Sequence, residues 1–149
     1  MATEYELTLA GGAAVDVVAE RAFPDPADRP VGPAPLLVAA LDDRYGFVAT
    51  VLSGRSRYVE VLGDNGNWLW EPEPYTSVMF RMDKSSDVEW QVRNMLTVVG
   101  RVLGTGSEDA AFFVNGDILL LTRLDGVVVK HRRDGWWAIH DGADQVVAD

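Results

Sequence analysis

Polar and apolar positions along the chain change period twice, and the changes mark the elements. Glu4-Tyr5-Glu6-Leu7-Thr8-Leu9 alternates, as a half-buried strand does, and Gly11-Gly12 ends it. Ala13 to Phe23 carries Val15, Val18, Ala19 and Ala22 on one stripe and predicts a short helix. Leu36 to Ala40 is a strand or a helical turn. Tyr45 to Leu52 and Arg57 to Leu62 alternate again, with Ser53-Gly54-Arg55-Ser56 reading as the hairpin loop between them. Asp64 to Asn67 is a further turn, and Thr76 to Met82 a strand with Val78, Phe80 and Met82 on one face.

The strongest signal lies in the last third. From Ser86 to Gly104 the apolar residues Val88, Val92, Met95, Leu96, Val99, Val102 and Leu103 recur at steps of three and four, a long amphipathic helix. Ser86 and Glu89 have capping-box spacing, and Gly104 reads as a left-handed stop. Four strands are predicted after it: Ala110 to Val114, Asp117 to Leu124, Val127 to Arg133 and Trp136 to His140. Asn115-Gly116, Asp125-Gly126, Asp134-Gly135 and Asp141-Gly142 punctuate them. Such pairs accept positive φ at both central positions and favour tight hairpins. Ile118 to Leu121 is apolar on both faces and therefore reads as central, covered twice. The expected architecture is α+β: one domain, residues 1–149, with a mostly antiparallel sheet of about six to eight strands ending in a meander. One long and one short helix pack on one of its faces.

Two segments break the pattern. Residues 24–35 hold five prolines, which remove backbone donors and fix φ, so an exposed extended loop is expected. Trp68-Leu69-Trp70-Glu71-Pro72-Glu73-Pro74-Tyr75 alternates aromatic and acidic residues, and its prolines keep it out of a central strand. Trp68 and Trp70 either cover core or, with Tyr75, form an edge that recognises a basic partner; Trp and Tyr supply large rigid contact areas at interfaces. Asp42, Asp43, Asp64, Glu71 and Glu73 are carboxylates in predicted loops that would border such a surface.

Composition narrows the function. The 149 residues carry a net charge of −10, which opposes binding to nucleic-acid phosphates and favours a basic partner. There is no cysteine, so disulfides and thiolate metal sites are excluded. The start, Met-Ala-Thr-Glu-Tyr-Glu, has neither basic leader nor apolar signal core, and no apolar run spans a bilayer; a cytoplasmic, membrane-free protein is expected. Candidate chemistry is sparse. His131 sits in the basic run Lys130-His131-Arg132-Arg133. His140, Asp141 and Asp144 supply three donors but no second cluster completes a shell. No nucleophile elbow is present, and Gly104-Thr105-Gly106-Ser107 lacks the lysine of a phosphate loop. No catalytic residue, cofactor or metal is expected. The alternative is a small-ligand-binding or enzymatic domain with a pocket between the sheet and the long helix.

Several stretches together resemble the immunity proteins of the bacterial swarming-inhibition toxin systems. They are Glu4-Tyr5-Glu6-Leu7, Ser77 to Lys84 leading into the long helix, Asp109-Ala110 with Asn115-Gly116, Leu121 to Gly126, and Gly135-Trp136-Trp137. The resemblance is good over residues 75–137, weak at the N-terminal strand and slight over 24–74. It implies a small cytosolic protein that binds and neutralises a cognate toxin. The chain departs from the pattern in its Pro-rich loop, its Trp-Leu-Trp-Glu-Pro-Glu-Pro segment and the tail after Trp137.

Overall fold

A computed structural model describes residues 2–140 and 142–149. Nine strands form one sheet: β1 (Glu4–Ala10), β2 (Leu36–Leu41), β3 (Phe47–Gly54), β4 (Val59–Gly63), β5 (Gly66–Trp70), β6 (Tyr75–Met82), β7 (Ala110–Val114), β8 (Ile118–Leu124) and β9 (Val127–Lys130). The helices are α1 (Val15–Ala22), α2 (Asp42–Tyr45), α3 (Val88–Gly104) and α4 (Ala143–Val146). The strand order is β2-β3-β6-β1-β7-β8-β4-β5, with β9 also on β8. All pairings are antiparallel except β4 with β8, which meet at Leu62 and Ile118. The mostly antiparallel α+β architecture is the one expected.

The front face holds the main core. Tyr5, Leu7 and Leu9 of β1, Phe47, Ala49 and Val51 of β3, and Val78, Phe80 and Met82 of β6 all point there. α1 brings Val15, Val18, Ala19 and Ala22, and α3 brings Val92, Met95, Leu96, Val99 and Val102. Both helices therefore cover one face. The back face carries a second, smaller core of Val59, Val61, Ala111, Phe113 and Leu119, with Trp68 and Trp70 packed against it. β8 is covered on both sides, as its continuous apolar run predicts. A bulge opposite Phe112/Phe113 leaves Leu120 without a partner on β7. The extra residue lets Leu120 and Leu121 both join the front core while Leu119 faces the back.

Local turn chemistry follows the sequence where the chain stays extended. Asn115-Gly116 (φ 53°, 69°) and Asp125-Gly126 (φ 51°, 79°) both occupy the left-handed region between paired strands. Asp134-Gly135 does not make a hairpin. Arg132 turns left-handed (φ 59°), and residues 133–137 form one wide helical turn in which the Ala138 N–H donates to the Arg133 carbonyl at 2.8 Å. The expected strand Trp136 to His140 is therefore absent. Its place is decided by Trp137, 1% exposed, whose Nε1–H donates to the carbonyl of bulged Leu120 at 2.9 Å. Asp141 of the last predicted turn lies outside the described residues; Gly142 (φ 74°) precedes α4.

Further expectations change as well. Ser53–Ser56 is no hairpin loop: β3 pairs with β2 and β6, whereas β4 pairs with β5 and β8, so the segment crosses between distant strands. The α3 cap is Asp87, whose Oδ2 accepts from the Trp90 N–H at 2.9 Å; the Ser86 hydroxyl is engaged with Asp83 instead. Gly104 is the last helical residue, followed by Thr105 at φ −106°, so the stop is not left-handed. Val88 is 54% exposed and falls off the buried stripe, while Gln91 joins it and donates from Nε2 to the carbonyls of Gly46 and Asp83. The Pro-rich loop is mostly exposed, as expected, but Asp28 and Pro30 are buried. Asp28 accepts from the Tyr45 hydroxyl at 2.6 Å and pairs with Arg44 at 2.7 Å.

Candidate binding face

The β4–β5 hairpin crosses the back of the sheet, and each end is fastened by polar contacts. Glu6 is central at its base. Strand alternation places Glu6 on the back face with Thr8, and register puts Met79 and Phe113 on either side of it. Glu6 is 6% exposed. One carboxylate oxygen accepts from the hydroxyls of Thr8 (2.7 Å) and Ser77 (2.9 Å), and the other from Arg57 Nη2 at 2.9 Å. The Arg57 guanidinium lies over the rings of Tyr75 and Phe113, both 5.9 Å from the ring centre. Tyr75 in turn lies on Gly54, where a Cβ would come within 2.7 Å of the ring, so a larger residue there would push the ring aside.

The hairpin tip is the two-residue turn Asp64-Asn65 between Gly63 and Gly66 (φ 109°). It rests on the segment after β9. The Asp64 N–H donates to His131 Nδ1 at 3.0 Å, and Asp64 Oδ1 accepts from the Arg132 N–H at 3.0 Å. Gly63 fits because a Cβ there would stand 2.9 Å from His131 Nδ1. Between tip and base, Val59, Val61, Trp68 and Trp70 point inward. The two indole rings are 5.6 Å apart. The outer face presents Tyr58, Glu60, Leu62, Asn67 and Leu69, all exposed.

The sequence-selected residues thus divide. Trp68, Trp70 and Tyr75 are half-buried, packing one side on the sheet. Glu71 and Glu73 are exposed just beyond β5. The Asp64 carboxylate already binds the chain segment beneath it. Asp42 and Asp43 open α2 after β2, at the opposite end of the strand order from β5. Glu6, Arg57, Tyr58, Glu60 and Leu69 complete the face and were not singled out from sequence. Glu6 reads there as an ordinary outward strand residue, because nothing local says that a distant hairpin covers it.

Elsewhere the titratable groups are committed to structure. Glu108 accepts two bonds from Arg21, at 2.6 and 3.0 Å, and this contact chiefly holds its carboxyl below the ordinary glutamate value. Burial pushes the Tyr5 hydroxyl up, with Trp136 Nε1–H donating to it at 3.3 Å. Lys130, 3% exposed, donates to the Asp144 carboxylate (2.7 Å) and the Val147 carbonyl (2.6 Å) and lies over Trp137. His140 Nδ1 is 3.1 Å from Glu89, not beside Asp144. Among the described residues no three His, Cys, Asp or Glu side chains gather as a metal site would require. An open groove of about 500 Å³ runs beside α3, lined by Thr97, Arg101, Leu103, Arg123, Val128 and Val147 among others. Its wall carries no histidine. No described helix is long and apolar enough to cross a membrane.

No curated protein and no solved structure matches the chain. A family model does, and it spans both halves of the fold, from just before β1 to beyond Trp137. Residues 3–141 match the model described as SitI3-like, and the chain belongs to the SitI3-like family.

Proposed function

We propose that this chain is an immunity protein that binds a cognate bacterial toxin in the cytoplasm and neutralises it by occlusion, without chemistry of its own. The observation that carries this reading is the family match over residues 3–141. The net charge of −10 supports a basic partner, because complementary fields speed encounter and disfavour wrong pairings. The same charge repels nucleic-acid phosphates. The contact surface is the β4–β5 hairpin together with the segment leading into β6: Trp68, Trp70, Glu71, Glu73 and Tyr75, with Asp64 at the tip. Asp42 and Asp43 would add a second, separate acidic point.

The reading predicts a toxin domain encoded beside this gene, and co-expression with that domain tests it. Cells survive and the two products co-purify in stoichiometric amounts; continued killing with no recoverable complex would refute it. Reversing charge in the double variant Glu71→Lys/Glu73→Lys slows association and flattens its salt dependence. An unchanged rate would remove these two residues from the surface.

A further inference from the structure

The sheet branches at β8 to carry β9, and the two ends of its main path, β2 and β5, close differently. The outer edge of β2 is blocked: Val31 and Val38 exchange main-chain bonds of 3.1 and 2.9 Å, and the Leu36 N–H is taken by Pro33 at 3.2 Å. β5 at the other end has no such cover. Its register with β4 pairs Gly63 with Gly66, Val61 with Trp68 and Val59 with Trp70. The two-residue turn makes Gly63/Gly66 a hydrogen-bonded pair, and antiparallel alternation then turns the N–H and C=O of Asn67 and Leu69 away from β4. On β4 the same alternation turns Leu62 outward, where its N–H reaches the Asp117 carbonyl at 2.7 Å. β5 pairs with no strand but β4, and outside that ladder Asn67 and Leu69 meet no main-chain partner among the described residues. Edges are ordinarily blunted by lysine, proline or a bulge. Gly66-Asn67-Trp68-Leu69-Trp70 contains none of these.

The surroundings define what would pair there. Leu69 and Tyr58, each 58% exposed, provide apolar area on the outer face. Carboxylates stand on every side: Asp64 at the tip, Glu60 opposite Leu69, Glu71 and Glu73 past the end of the strand. A second copy of this chain would bring the same carboxylates together and is disfavoured by like charge. A strand bearing Lys or Arg between apolar residues satisfies both the edge and the rim.

We propose that the open edge of β5 is a strand-addition site, at which an extended Lys- or Arg-bearing segment of the partner pairs with Asn67 and Leu69. The proposal rests on the toxin-binding reading above and specifies its mode: main-chain pairing for affinity, carboxylates for selection. Proline at position 69 removes an outward N–H without touching the β4–β5 bonds, so Leu69→Pro and Leu69→Ala separate backbone from side chain. The probe is the cognate toxin domain predicted above, with titration calorimetry for affinity and amide-exchange NMR for Asn67 and Leu69. The expected result is slowed exchange at both amides in the complex, affinity largely kept in Leu69→Ala, and a loss of about tenfold or more in Leu69→Pro. A complex in which both amides exchange as fast as in the free protein, or one that Leu69→Pro forms as tightly as wild type, overturns strand addition and leaves the immunity reading standing. If wild type forms no complex, the immunity reading fails and strand addition fails with it. Should Leu69→Pro not fold, amide exchange in the wild-type complex decides alone. A dimer in light scattering that is abolished by Leu69→Pro would assign the edge to self-association and also overturn the proposal.

Discussion

Glu6 shows how far a single position depends on its surroundings. In sequence it is one polar residue in an alternating strand; in the fold its carboxylate is buried, bonded to Thr8, Ser77 and Arg57. A buried polar group that loses a partner bears its full desolvation cost. Arg57→Met leaves one oxygen without its donor and is expected to cost about 1–3 kcal/mol, read from the urea midpoint at unchanged slope. Glu108 makes a pH prediction. Its carboxyl lies below the ordinary value of 4.5, chiefly because Arg21 donates to it. A depressed folded value stabilises the protein above the unfolded value, and that contribution disappears as pH falls through the folded one. The stability deficit of Arg21→Met is therefore greatest near neutrality and narrows below about pH 4. A deficit constant from pH 3 to pH 7 would show that the ion pair contributes nothing. Neither pair was legible in the sequence, since 51 and 87 residues separate the partners.

At the scale of elements, local grammar was mostly readable. The hairpins at Asn115-Gly116 and Asp125-Gly126 formed where turn chemistry and flanking strands agreed. The long helix was readable from its period, but its cap moved by one residue. Ser86 and Asp87 are both good caps, and the choice fell to Asp87 because Asp83 engages the Ser86 hydroxyl. Asp87→Ala is expected to cost about 1 kcal/mol. Ser86→Ala is expected to cost less than about 0.5 kcal/mol in the same thermal melts. Equal losses would restore Ser86 as the cap. Asp134-Gly135 failed as a hairpin signal because Trp136 and Trp137 come directly after it. Their indoles gain more from packing on Tyr5, Phe112 and the Leu120 carbonyl than an exposed strand would offer.

For the whole molecule the deciding feature is that one sheet carries two cores of unequal size. The front core draws on every helix, whereas the back core is a handful of side chains under the β4–β5 hairpin. Phe113 belongs to the small one and is 2% exposed. Phe113→Ala is expected to cost about 3–5 kcal/mol and to loosen the hairpin, shifting the emission of Trp68 and Trp70 to the red. An unshifted spectrum at the same loss of stability would mean that the hairpin is held by its polar ends alone.

By itself the chain's pattern determined its class, the long helix, the first three strands of the C-terminal meander, the double coverage of β8 and the acidic aromatic segment after Gly66. These are set by period, turn residues and charge within a few positions of one another. Only the tertiary structure decided the strand order, the path of 53–56 across the sheet instead of around a hairpin, the burial of Glu6, and the place of β5 at an end of the strand order. Those features join residues far apart in the chain, where pairing is chosen by which apolar faces can be buried together, and short-range pattern carries no record of that choice.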